Sequence, residues 1–221
     1  MFRFALPVIV LLAVAAVSNS SPRKDAVILP APVVDVSPQT KGEQTAVFAG
    51  GCFWGIQSVF QHVKGVVSAT SGYVGGDEKS AEYEIVSTGN TGHAESVKIV
   101  YNPSQITYGQ LLRVFFSVAH DPTQLNRQGP DEGSQYRSAI FYSSDEQKRV
   151  AEAYIVQLQK ANVFARPIVT SVKSLGKFYP AEAYHQNYAE RHPKDLYIVY
   201  NDAPKVSRLS EEFPDLYVAR P

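Results

Sequence analysis

Residues 45–60 read Thr45-Ala46-Val47-Phe48-Ala49-Gly50-Gly51-Cys52-Phe53-Trp54-Gly55-Ile56-Gln57-Ser58-Val59-Phe60. Thr45 to Ala49 is a short apolar run of strand type, whereas Phe53, Ile56, Gln57 and Phe60 recur at helical spacing. The stretch therefore predicts a strand, a tight turn made possible by two glycines, and a helix, with Cys52 at the junction. It holds the only cysteine and the only tryptophan of the chain. A thiol at a helix start faces unpaired backbone N–H groups and the positive end of the dipole, so the expectation is a lowered pKa and a nucleophilic thiolate. A lone cysteine is often just a small buried hydrophobe. That role needs neither paired glycines nor flanking aromatics, which favours the nucleophile.

Working outward, Lys64-Gly65 supplies a helix stop, and Val66 to Tyr73 reads as a second strand ending at Gly75-Gly76-Asp77. A polar loop then carries Tyr83. Ala94 to Tyr101 alternates, with Val97, Ile99 and Tyr101 on one face and Ser96 and Lys98 on the other. Glu95 shares the apolar parity, and a desolvated carboxyl there is expected to keep its proton and serve as a general acid. Thr107 is placed to cap a helix with Tyr108, Leu111, Leu112 and Phe115 on its inner face. The long segment His120 to Gly133 delivers Asp131, and Gln135 to Tyr142 reads as a strand bearing Tyr136. Ser144 to Gln147 has the spacing of a capping box before a helix through Val150, Tyr154 and Leu158. Ile168 to Val172 reads as a strand, and Phe178-Tyr179-Pro180-Ala181 as the start of a last helix carrying Tyr184, His185 and Tyr188.

This order predicts an α+β domain, a two-layer sandwich in which helices cover one face of a mixed sheet, as in a ferredoxin-like plait, with a coil-rich C-terminal part. Residues 1–20 combine Arg3, an apolar run from Phe4 to Val17 and a small polar exit, the pattern of a secretory signal, so a secreted or periplasmic protein is expected. Residues 21–43 read as a linker, 44–202 as the catalytic domain and 203–221 as a loosely held tail. Lys+Arg and Asp+Glu both number 21 in the 221 residues, and with no basic field nucleic acid is not an expected partner.

The chain resembles methionine sulfoxide reductase A, the peptide S-sulfoxide reductase, over roughly residues 44–200. The resemblance rests on Gly-Cys-Phe-Trp-Gly at 51–55, Gly72-Tyr73-Val74-Gly75-Gly76, Thr91-Gly92-His93-Ala94-Glu95, His120-Asp121-Pro122-Thr123, Gln128-Gly129-Pro130-Asp131, Gln135-Tyr136-Arg137-Ser138 and Tyr179-Pro180-Ala181-Glu182. It implies that Cys52 attacks the sulfoxide sulfur while Glu95 protonates the oxygen. Tyr83 and Tyr136 would hydrogen-bond that oxygen, Phe53 and Trp54 would seat the methyl group, and Asp131 would lie on the polar side.

Many members of that family resolve the Cys52 sulfenic acid with a second cysteine, which this sequence does not contain. An external thiol, whether thioredoxin, glutaredoxin or glutathione, is therefore the expected reductant of a monomeric enzyme without bound cofactor or metal. Gln57 stands where a glutamate is common. The alternatives are a Cys52–His185 hydrolase or transferase, disfavoured because the glycine spacing is not that of a nucleophile elbow, and a module that binds methionine sulfoxide without reducing it. A zinc site at His93-Ala94-Glu95 lacks the Pro-Cys-x-x-Cys partner such sites use.

Overall fold

The computed structural model describes residues 29–36 and 42–219. The expected signal segment, residues 1–20, lies outside them. In chain order, β1 is Gln44–Ala49, α1 Phe53–Gln61, β2 Val66–Val74, α2 Tyr83–Val86, β3 Ala94–Tyr101 and α3 Tyr108–Val114. There follow β4 Arg127–Gln128, β5 Asp131–Glu132, β6 Ala139–Tyr142, α4 Asp145–Lys160, β7 Ser171–Ser174, β8 Phe178–Pro180, α5 Tyr188–Arg191 and α6 Ala203–Glu212.

Six strands form one mixed sheet in the order β7-β6-β1-β3-β2-β8, with every pair antiparallel except β6 and β7. Strand β3 pairs with β1 on one side, over Val97 to Tyr101, and with β2 on the other along its whole length, where Glu95 lies opposite Tyr73. The expected parity of β3 is observed: Val97, Ile99 and Tyr101 enter the main core with Ala46, Phe48, Ala69 and Tyr73, while Ala94 lies in a smaller cluster with Val47, Ala49 and Phe141. Helices α1, α3, α4 and α6 all contribute to that main core. Phe48 organises it, stacking on Phe115 at 4.8 Å and touching the Phe60 ring at 5.7 Å. Burying such a ring contributes about 1.5–3 kcal/mol.

The helix starts are locally encoded. Thr107 and Gln110 complete a capping box on α3, and the Ser144 side chain accepts from Gln147 N on α4.

Several segments differ from the sequence reading. Tyr83 opens the short helix α2 instead of lying in a loop, and the strand expected over Ile168 to Val172 lies at Ser171–Ser174, where β6 offers a pairing edge. Phe178 to Pro180 is an edge strand on β2, because main-chain pairing with Gly72 to Val74 outweighs the helix preference of a proline at a first turn, and an edge position needs no proline N–H. Ser134–Tyr136 is a 3-10 turn ahead of β6, tied by the Ser134 hydroxyl to Gly89 O at 2.7 Å and by Arg137 to Gly92 O and His93 O at 2.9 and 3.0 Å. The described part of the expected linker docks on the domain: Leu29 is buried, Asp35 accepts from Thr107 and Gly109, and Pro30 O accepts from Tyr154 at 2.8 Å. Finally, the expected tail contains α6, whose Leu209 is fully buried and whose Arg208 donates to Ser117 O.

Candidate active site

The turn after β1 is tight because two elements press on it. Gly51 adopts φ +99°, and a Cβ there would sit 2.6 Å from the Gln128 side chain, which is itself fixed by Asp121 N at 3.0 Å. The segment from His120 to Gly133 thus packs against the two glycines that precede Cys52, His120 against Gly50 and Gln128 against Gly51. Cys52 is the N-cap of α1, 8 % exposed.

Its electrostatics differ from the sequence expectation. Burial pushes the Cys52 thiol well above its usual range, the carboxyls of Glu95 and Asp202 push it further, and only the Trp54 N–H and the Lys205 ammonium pull it down. The end of a nine-residue helix cannot offset the loss of water around a buried thiolate. In the free protein Cys52 is a thiol.

Glu95 is 2 % exposed, and its Oε2 accepts from Phe53 N, the first N–H of α1, at 3.0 Å. Desolvation is the largest influence on it. That hydrogen bond opposes the shift, nearby Asp131 and Asp202 add to it, and the carboxyl is pushed up to about 8. At neutral pH Glu95 therefore carries its proton, bonded to the N–H of the residue after Cys52. Tyr83, the first residue of α2, and Tyr136, from the 3-10 turn, complete the cluster. Burial raises both phenols above their usual range, and the charges of Glu95 and Cys52 raise them further, so both keep their O–H protons.

Trp54 forms the wall beside Cys52. Its indole stacks on Tyr188 at 3.7 Å, meets Tyr197 edge-on at 5.8 Å, and donates through Nε1 to His185 Nδ1 at 3.1 Å. The neutral His185 proton is therefore on Nε2, which has no hydrogen-bond partner among the described residues. With Nδ1 engaged by Trp54, His185 is not placed to act as the base for Cys52. Phe53 is fully buried between Tyr73 at 5.8 Å and His185 at 5.1 Å; its N–H is the contact it makes to Glu95. Asp131 accepts from the Tyr197 hydroxyl, and burial raises its carboxyl above the usual range.

The charges of Cys52 and Glu95 act on Tyr83 and Tyr136, and that of Asp131 on Glu95 and Tyr136, so these five residues share one neighbourhood, with Phe53 and Trp54 following Cys52 on α1. Sequence reasoning missed Tyr197, Asp202 and Lys205. Asp202 is fully buried with Lys205 Nζ 3.0 Å from its Oδ1, and a side chain on Gly55 would collide with that pair. Their one sequence signal was Gly55 itself, a glycine inside a helix where something approaches closely. Gln57 is buried and bonds Ala69 O at 2.9 Å and Asn187 N at 2.8 Å, roles a neutral amide fills.

The family model described as peptide methionine sulfoxide reductase matches residues 44–216. Peptide methionine sulfoxide reductase MsrA 2 of Mesorhizobium japonicum is 61 % identical over 180 residues, covering 81 % of this chain and 92 % of that protein. The MsrA 2 protein of Synechocystis sp. is 50 % identical over 191 residues, with 85 % and 89 % covered. Among solved structures, reduced Mxr1 from Saccharomyces cerevisiae superposes with a TM-score of 0.63 at 32 % identity, covering 72 % of this chain and 91 % of that one. Methionine sulfoxide reductase A of Corynebacterium diphtheriae gives 0.59 at 34 % identity, covering 77 % and 89 %.

Proposed function

This chain belongs to the peptide methionine sulfoxide reductase family, and from that premise we propose how its residues divide the work. The reaction is the reduction of methionine sulfoxide to methionine. Cys52 attacks the sulfoxide sulfur while Glu95 gives its proton to the oxygen, which is a poor leaving group until protonated. Tyr83 and Tyr136 donate to the same oxygen, and the methyl group sits against Trp54 with Phe53 below. Asp131, held by Tyr197, forms the polar side. One oxygen atom passes from substrate sulfur to Cys52 and two electrons pass the other way. The thiol proton ends on the sulfenic acid, and Glu95 regains its own. A chiral sulfoxide fixed by methyl seat, oxygen donors and line of attack reacts as one epimer, the S form.

The observation that carries this reading is the buried Glu95 carboxyl, raised to about 8 and anchored on Phe53 N next to the cysteine. It also gives the resting thiol a route to reactivity, since a neutral Glu95 adds no charge against a forming thiolate. The test is single turnover on a methionine sulfoxide peptide of each epimer: the S form yields one equivalent of methionine, the R form none. Equal turnover of both would refute the three-point seat.

Recycling follows from the single cysteine. The Cys52 sulfenic acid has no thiol in the chain to condense with, so an external thiol, thioredoxin, glutaredoxin or glutathione, reduces it through a mixed disulfide. After one turnover without reductant, intact mass should show a monomer heavier by one oxygen that a sulfenic-acid trap consumes. A disulfide-linked dimer instead would mean that a second copy resolves the first.

We read the four strands β6-β1-β3-β2 with crossovers α1 and α3 as the plait of the fold. For location, the apolar start of the chain supports export, and mature protein from its host is expected to lack about the first 18 residues. Recovery from the cytoplasm with Met1 in place would refute export.

A further inference from the structure

We propose that Glu182 is a positioning residue for sulfoxide reduction: its carboxylate, carried by the segment after β8, fixes the start of α2 and thereby aims Tyr83 at the substrate oxygen. The inference rests on the reading of Tyr83 as a donor to that oxygen.

Helix α2 has four residues, too few to hold its own conformation, and its N-cap Glu82 makes no side-chain capping bond. The N–H of Tyr83 is among those a helix start leaves without an internal partner. Glu182 Oε1 accepts it at 2.8 Å from 99 residues further along the chain. The other oxygen, Oε2, accepts from the hydroxyl of Tyr73 at 2.9 Å, and Tyr73 is a fully buried residue of β2. One carboxylate therefore spans the gap between the sheet and α2.

The segment bearing Glu182 is itself anchored. Ala181 N donates to Ser71 O at 2.9 Å, and the Gln186 amide bonds both the N–H and the carbonyl of Ser71 at 3.0 and 2.9 Å. Three residues beyond Glu182, the His185 ring packs on the Tyr83 ring at 4.4 Å while Trp54 holds its Nδ1. The same short segment thus grips Tyr83 at its backbone and at its ring. Burial alone would raise the Glu182 carboxyl, but the donors from Tyr83, its own backbone and Tyr73 outweigh it and keep the group below the usual range. Two hydrogen bonds to an ionised carboxylate are stronger and more directional than two to a neutral group.

A structural cap and a positioning residue predict different double-mutant cycles. We would measure kcat and KM on a methionine S-sulfoxide peptide for the wild type, E182A, Y83F and the double variant, with E182Q as the conservative control. Y83F should lower kcat about a hundredfold, the lower end of the range for loss of one oxyanion-hole donor. E182A should lower kcat by a similar factor with KM little changed, yet lower it less than about twofold further in the Y83F background. E182Q, which keeps the acceptor for Tyr83 N, should recover most of the rate. Equal losses from E182A in both backgrounds, or an E182Q as impaired as E182A, would overturn the proposal. A fully active Y83F would instead overturn the donor role on which it rests. If E182A does not fold, E182D, whose shorter carboxylate cannot reach both Tyr73 and Tyr83, replaces it in the cycle.

Discussion

Cys52→Ser should give a folded protein whose sulfoxide reduction is lowered by about 10^4 or more, the scale on which removing a catalytic nucleophile acts. Serine cannot ionise at neutral pH, and its oxygen cannot accept the sulfoxide oxygen to form a sulfenic acid. The fold should tolerate the change. Cys52 occupies the N-cap of α1 without making a side-chain capping bond, and serine is among the preferred residues there. Thermal unfolding should therefore shift by only a few degrees, since about 1 kcal/mol moves the midpoint of a domain of this size by roughly 2–4 °C. The assay is conversion of a methionine sulfoxide peptide to the methionine peptide with dithiothreitol as reductant. Appreciable turnover by this variant would rule out sulfur attack.

Glu95→Gln should lower the rate about a hundredfold or more, because glutamine keeps the shape and a hydrogen-bond donor but has no proton to give. The pH profile carries a second test. Wild-type activity should decline as pH rises through about 8, where Glu95 loses its proton, and that limb should be missing from the variant. The Glu95 carboxylate also raises the Cys52 thiol, so alkylation of Cys52 by iodoacetamide should begin at lower pH in Glu95→Gln. Stability should follow the same group with a definite sign. Its folded pKa, about 8, lies above the ordinary 4.5, so the folded state holds the proton more tightly than the unfolded one. Its contribution is full below about 4.5 and is lost as pH rises through 8. The variant should show a flatter dependence of melting temperature on pH across that window. A wild-type rate in Glu95→Gln would move the acid role to Tyr83 or Tyr136.

Much of this site was legible in the sequence because it depends on local geometry. Period-two alternation placed Glu95 on the buried face of β3, where it pairs with Tyr73 of β2 and is 2 % exposed. Two glycines before a helical pattern placed Cys52 at the turn, as observed. The ionisation of Cys52 was not legible, because a helix start is a local feature whereas desolvation depends on everything packed over the sulfur. Phe178-Tyr179-Pro180 shows the same limit: its composition suits a helix start, but the open edge of β2 takes it as a strand.

The sequence by itself placed Cys52 at the strand-to-helix turn, put Glu95 on the buried parity of β3 and held a single cysteine, since periodicity, parity and residue counts require no knowledge of distant contacts. Only the tertiary structure decided that Cys52 rests protonated, that Tyr197 holds Asp131, that Asp202 and Lys205 lie against Gly55, and that Glu182 reaches back to Tyr83. Each of those contacts joins residues between about fifty and a hundred and fifty positions apart, and closing such loops depends on the whole core rather than on any local pattern.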